Sequence, residues 1–173
     1  MESNLFHQGE RELLNRHPVA FLCSRRCPPS VVTRSYDWAI EQRNRGNCVM
    51  TGNHSQIEKD VLHYLLKGNQ PIIIALARGM KLRFTSEFQV QIDKGRLLFI
   101  TSFASSVIRV TQETANKRNE LMVELSSEVF AGYAQPGGNV EQLLLRWISR
   151  GKRVITFDVE ENKNLISAGA EAV

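Results

Sequence analysis

The residues of this 173-residue chain best suited to chemistry stand directly after short apolar runs. Ser24-Arg25-Arg26-Cys27-Pro28-Pro29-Ser30 follows the first run and carries a hydroxyl and two guanidinium groups into the start of a helix. Helix N-termini present unpaired N–H groups at the positive end of the dipole, and Arg adds a planar fork matched to phosphate, so the turn reads as an anion site. The plainer reading makes Ser30 an N-cap and leaves the arginines to solvent. Thr51-Gly52-Asn53-His54-Ser55 follows the second run, where Gly52 allows a tight turn or a close approach of backbone to ligand. Arg78-Gly79 follows the third. Pro136-Gly137-Gly138-Asn139 leads into a helix, and its paired glycines let backbone N–H groups converge on an anion, although such turns also use Gly for steric reasons alone.

Two further segments bear polar clusters. Lys117, Arg118 and Asn119 sit in the polar first half of a helix near Thr111–Ser126, within reach of a phosphate or a base if they are not simply solvated. Glu58, Glu113, Glu120, Glu124 and Glu141 are the carboxylates open to acid–base work, and none is paired in sequence with a partner. Cys23 and Cys27 are spaced C-x3-C with no second Cys or His pair, so no metal site is expected. Neither G-x-G-x-x-G after the first run nor G-x-x-x-x-G-K-[ST] occurs, and no cofactor is implied. His63 lies among apolar neighbours and reads as packed or half-buried. Trp38 and Trp147 read as core or interface residues, and Phe84, Phe88 and Phe103 as core residues in preference to base-stacking ones.

Six runs must position these groups as strands: Val19–Cys23, Cys48–Thr51, Ile72–Ala77, Leu97–Thr101, Val129–Tyr133 and Val154–Phe157. One-sided apolar stripes lie between them, at Ile57, Val61, Leu62, Leu65 and Leu66 and at Val140, Leu143, Leu144, Trp147 and Ile148. The first helix is expected from Pro29–Ser30 to Arg45, closing on Gly46, with Gly68 and Gly151 at later helix ends. Strands alternating with helices predict an α/β, Rossmann-like, doubly wound and mostly parallel sheet of about six strands with helices on both faces. Ligands of such sheets bind beyond the carboxyl ends of the strands, where the turns above lie. The expectation is one domain over 1–173 with its core at about 19–158. The ends, 1–17 and 159–173, are peripheral, the first with a short helix around Glu10–Arg16 and the last loosely ordered.

Composition sets the limits. The 22 Lys+Arg against 18 Asp+Glu give a net charge of +4, too mild by itself to mark a nucleic-acid binder. A hydrophobic share of 42% is that of a globular domain. No apolar stretch approaches a membrane span and the start is too charged for a signal peptide, so no membrane association and a cytoplasmic location are expected. Three cysteines, an odd number, argue against a disulfide framework.

The ordered set of turns resembles the Rossmann-like domain of the DNA-processing protein A (DprA/Smf) family, within the superfamily that also holds the lysine decarboxylase-like (LOG) nucleotide hydrolases. The likeness runs from about Val19 to Asp158. The family's V-G-S-R turn is matched by Leu22-Cys23-Ser24-Arg25, with Cys23 in place of glycine. Its S-G-x-A-x-G-I-D-x-x-x-H stretch is similar to Thr51 through His63, with Gln56 for a glycine and Glu58 for Asp. Its G-C-G-L-D strand end looks like Leu76-Ala77-Arg78-Gly79-Met80, and its R-N-R helix resembles Arg118-Asn119-Glu120, followed by the Gly-rich turn at Gly137-Gly138. The resemblance implies binding of single-stranded DNA or a nucleotide at the carboxyl edge of the sheet, in DNA processing and recombination, with a recombinase partner and a homodimer. Ser24, Arg25, Gly52, Arg78, Gly79, Arg118, Asn119, Gly137 and Gly138 would carry the phosphates. The LOG family offers an alternative: Lys117 through Met122 and Pro136 through Glu141 are similar to its E-R-K-x-x-M and P-G-G-x-G-T-x-E-E motifs. That likeness implies a nucleoside-monophosphate phosphoribohydrolase using Arg118 and Glu141. A non-catalytic nucleotide-sensing domain is a third reading, so whether the chain is an enzyme stays open.

Overall fold

A computed structural model describes residues 4–173. Its eight strands are β1 (Phe6–Gly9), β2 (Val19–Leu22), β3 (Val49–Thr51), β4 (Ile72–Ala75), β5 (Leu97–Thr101), β6 (Glu128–Ala131), β7 (Val154–Thr156) and β8 (Glu171–Ala172). They form one sheet in the order β1-β5-β4-β3-β2-β6-β7-β8. All pairs are parallel except β1 with β5, where Phe6 faces Thr101 and Gly9 faces Leu98. The helices are α1 (Pro29–Arg45), α2 (Gln56–Leu66), α3 (Ser86–Asp93), α4 (Gln112–Leu125), α5 (Asn139–Ser149) and α6 (Lys163–Ser167), with 3-10 turns at Arg11–Asn15 and Glu160–Asn162.

The parallel centre of the sheet, β2 to β7, is buried on both faces, and its strand residues divide between two cores by the alternation of the pleat. On β2, β4 and β5, Ala20, Leu22, Ile73, Ala75, Leu98 and Ile100 face α4, α5 and α6 through Met122, Leu144 and Leu165. Their neighbours Phe21, Ile72, Ile74, Leu97 and Phe99 face α1 and α2 through Val31, Trp38, Val61 and Leu65. Trp38 is therefore core, stacked on Phe130 with ring centroids 4.7 Å apart. Phe84 and Phe88 pack on Phe99 at 4.4 and 5.5 Å.

The doubly wound α/β architecture is that expected, with eight strands in place of six. The two additional strands lie in the terminal segments. β1 is an exposed antiparallel edge of sequence FHQG, without an apolar run to announce it. The segment 159–173 is ordered by α6, by β8, and by buried Asn162, whose Nδ2 donates to the carbonyl of Gly132 at 3.0 Å. Helix α1 begins on Pro29 with Pro28 as its N-cap, so Ser30 is not the cap, and it closes on Gly46 at φ 75°. Gly151 has a positive φ, whereas α2 ends on Lys67 in right-handed conformation and Gly68 needs no left-handed backbone. His63 is exposed, edge-on to Tyr64, and not packed inside.

Strand order fixes where a ligand can enter. From β2 the chain builds outward through β3, β4 and β5, then returns to the opposite side of β2 with β6, so the connections diverge between β2 and β6. Beyond the carboxyl ends of those two strands lies the crevice that open α/β sheets use for ligands.

Candidate functional site

A cleft of about 650 Å³ opens at this point. Its walls are the turn after β2, the α2 N-terminus, the first turns of α4, and the turn from β6 into α5. The turn after β2 is tied to the one after β6: the Ser24 N–H donates to the Tyr133 carbonyl at 2.8 Å, and the Gln135 N–H donates to Ser24 Oγ at 2.9 Å. This pins Ser24 and projects Arg25 and Arg26 outward, both exposed and on the cleft. Arg25 Nη2 donates to Gln112 Oε1 across the opening at 3.3 Å, a single exposed contact that a ligand can displace.

The opposite wall is made of carboxamides. Gln112, Asn116 and Asn119 on α4 line the cleft together with Gln135 and Asn139. Gln112, Asn116 and Asn119 follow i, i+4, i+7 spacing and share one helix face, the signal by which sequence alone could have grouped them. Each amide offers donors and an acceptor, which suits sugar and base edges as well as phosphate. Gly138 is the N-cap of α5 and supplies no side-chain cap, so the helix presents backbone N–H groups beside these amides.

The floor holds a buried ion pair. Arg118 Nη2 lies 3.3 Å from Glu58 Oε1, with the two side chains 4% and 7% exposed. Glu58 Oε2 accepts the N–H groups of His54 at 2.7 Å and Ser55 at 3.0 Å, completing a capping box with Ser55 at the start of α2. Arg118 Nε donates to Asn119 Oδ1 at 2.8 Å and Nη1 to the Ala75 carbonyl at 3.5 Å. The free cations at the cleft are thus Arg25 and Arg26, and Arg118 is largely committed to the protein itself.

The remaining sequence candidates divide. Ser24, Arg25, Arg118, Asn119 and Gly138 line the cleft; Gly52, Arg78, Gly79, Gly137 and Glu141 do not. A Cβ on Gly52 would lie 2.0 Å from Arg118 Nη1, so that glycine makes room for the guanidinium. Gly79 is held by packing, since a Cβ there would meet the Ala104 carbonyl oxygen at 2.4 Å. Gly137 takes φ 76°, and its N–H donates to Glu141 Oε1 at 3.0 Å. The other Glu141 oxygen accepts from Asn164 Nδ2. Both oxygens of that carboxylate are engaged, one by its own turn and the other by α6. His54, Asn116, Gln135 and Asn139 are cleft residues that the motif reading did not select.

Two thiols flank the turn after β2. The neighbouring Cys27 side chain, and then burial, push the Cys23 thiol well up, while the Cys23 side chain lowers Cys27 to about 7. No group of three or more metal-ligating side chains occurs among the described residues, and no helix among them is long and apolar enough to cross a membrane.

No protein-family model matches the chain, and no curated protein matches it. Solved structures do. The single-stranded-DNA-binding DNA processing protein A of Helicobacter pylori superposes with a TM-score of 0.77 at 16% identity, covering 97% of this chain and 80% of that one. DNA processing protein A of Streptococcus pneumoniae gives 0.79 at 18% identity, covering 98% of this chain; the chain spans 62% of that protein's length. The molybdenum cofactor binding protein of Rippkaea orientalis gives 0.62 at 14% identity, covering 91% of this chain and 89% of that one. The chain therefore has a DprA-like Rossmann-like fold.

Proposed function

We propose that this chain, a DprA-like Rossmann-like domain, binds single-stranded nucleic acid in the cleft between β2 and β6. The observation that carries the reading is the pairing of two exposed guanidinium groups, Arg25 and Arg26, with a facing wall of carboxamides at the topological switch point. Guanidinium groups neutralise backbone phosphates, and amides hydrogen-bond to sugars and bases whose edges single strands leave open. The H. pylori neighbour, a single-stranded-DNA binder, supports the same reading. Apart from His54, no aromatic or imidazole ring lines the cleft among the described residues, so stacking contributes little and base preference is weak. Pairing of two copies and delivery to a recombinase belong to the same proposal by resemblance.

Hydrolysis of nucleoside monophosphates finds less support, because Glu141 is engaged by Gly137 and Asn164 away from the cleft lining and Arg118 is paired with Glu58. Fluorescence anisotropy of labelled oligo-dT at two salt concentrations, with nucleoside monophosphates as competitors, tests the proposal. Salt-sensitive binding that mononucleotides barely displace is expected. Absence of oligonucleotide binding at low salt overturns it, and base release from a monophosphate would revive the hydrolase.

A further inference from the structure

The amide wall of the cleft is not free to present either end of every side chain. Each nitrogen of Arg118 is spent on an oxygen of the protein: Nε donates to Asn119 Oδ1 at 2.8 Å, Nη2 to Glu58 Oε1 at 3.3 Å and Nη1 to the Ala75 carbonyl at 3.5 Å. A guanidinium carries five N–H donors and no acceptor, so only an oxygen can face its Nε. The Asn119 amide is thereby fixed: its oxygen is turned to Arg118, and its amino group, Nδ2, is the end left for a ligand. Arg118 is 4% exposed and its guanidinium fills the space over Gly52, where a Cβ would stand 2.0 Å from Nη1, so this anchor holds when a ligand enters.

The other amides lack that constancy. Gln112 Nε2 donates to Asn116 Oδ1 at 2.9 Å while Gln112 Oε1 accepts from Arg25 in an exposed contact, and both amides can turn once a phosphate takes Arg25. Gln135 and Asn139, on the turn into α5, are exposed and can offer either end. Glu58, the one carboxylate lining the cleft among the described residues, is closed by Arg118 and by the N–H groups of His54 and Ser55. Asn119, half-buried on the cleft wall, is therefore its amide donor of fixed polarity.

We propose that Asn119 selects keto bases over amino bases in the single strand that the cleft takes, its Nδ2 donating to the exocyclic oxygen of thymine, uracil or guanine. This inference rests on the nucleic-acid reading of the cleft. Bases differ in polarity at that position: thymine O4 and guanine O6 accept, whereas cytosine N4 and adenine N6 donate. A donor set against an amino group makes no hydrogen bond and leaves two donors opposed. With Arg25 and Arg26 holding the backbone and little stacking to read the ring, this contact carries such base preference as the cleft has. Arg118 and Glu58 are positioning residues, and Asn119 is the one that touches the base.

The test compares oligo-dU with oligo-dC of equal length by fluorescence anisotropy, at one salt concentration and at mildly alkaline pH, where cytosine is neutral. Their bases differ only in the C4 substituent and the N3 proton that goes with it, and a homopolymer offers the same base in every register. Wild type should bind oligo-dU about two- to tenfold more tightly, the worth of one net hydrogen bond. Asn119→Ala should abolish the difference while Arg25 and Arg26 retain binding. Asn119→Asp keeps an oxygen for Arg118 Nε but offers a ligand only acceptors, so it should weaken both and reverse the preference. A purely structural role for Asn119 would lower both affinities together and leave their ratio alone. Equal affinity of wild type for the two, tighter binding of oligo-dC, or a ratio unchanged in Asn119→Ala overturns the assignment and leaves the nucleic-acid reading standing. Absence of binding to either oligonucleotide at low salt overturns the nucleic-acid reading itself, and the base selection with it.

Discussion

Arg118 and Glu58 meet over the carboxyl edge of the sheet although they come from helices on opposite faces of it. Arg118 stands on α4 and Glu58 on α2, and their contact at 3.3 Å passes above Gly52 at the end of β3. The pair thus fastens the two helical layers at the floor of the cleft. A buried pair of this kind adds little net stability against an apolar substitute, yet loss of one partner leaves the other charged and buried, at a cost of about 3–5 kcal/mol. Glu58→Gln and Arg118→Gln are each expected to destabilise strongly in urea unfolding, and the double variant by clearly less than the sum. An additive double-mutant cycle would show that the two side chains are not coupled.

The same contact makes Gly52 intolerant of a side chain. An alanine Cβ would stand 2.0 Å from Arg118 Nη1 and 2.7 Å from both Arg118 Cζ and Glu58 Oε2. Gly52→Ala should therefore drive the guanidinium out of its seat and cost at least the 1–3 kcal/mol typical of about one overpacked methyl group. Normal stability of this variant, measured by thermal or urea unfolding, would mean that the floor has room to spare.

The parallel centre of the fold was legible because β2 to β7 are short apolar runs buried on both faces, and a period of one strand per βαβ unit leaves few topologies. β1 was not legible: FHQG is an exposed edge strand that gains its order from pairing with β5, a relationship across roughly ninety residues that no local pattern encodes. Turn motifs located Ser24, Arg25 and Gly138 on the cleft, since their position after a strand or before a helix is a local property. They did not show what Gly52 and Gly79 make room for, because a glycine announces that space is needed without naming the atom that fills it. In one case that atom is Arg118 Nη1 and in the other a loop carbonyl. Glu58 and Arg118 are 60 residues apart and meet only through the tertiary fold.

With Arg118 committed to Glu58, the salt dependence of ligand binding should reside in the turn after β2. Arg25→Ala and Arg26→Ala are each expected to lower the slope of log K against log salt by about 1, the loss of one phosphate contact. Glu141→Gln should leave the slope alone. Anisotropy titrations at several salt concentrations decide this; slopes unchanged in both arginine variants would move the ligand away from the switch point.

Stability should fall at alkaline pH for a reason fixed by burial. Cys48 titrates near its ordinary value, 9.0, when unfolded and at about 12 when folded, since burial disfavours its thiolate. Above the unfolded value the unfolded chain has released a proton that the folded one retains, so the equilibrium shifts toward unfolding as pH rises from about 9 to about 12. Three pH units correspond to a loss on the order of 4 kcal/mol at the upper end. Tyr36, pushed up to about 12 by its 2.7 Å hydrogen bond to Asp60, acts in the same direction over a higher window that starts near pH 10. Cys48→Ala should lower stability at neutral pH by removing a packed sulfur, while flattening the decline between pH 9 and 10, before Tyr36 contributes. An alkaline unfolding profile with the same slope in wild type and variant would show that the Cys48 thiol is not shielded from solvent as its place between β3 and the Leu13 carbonyl requires.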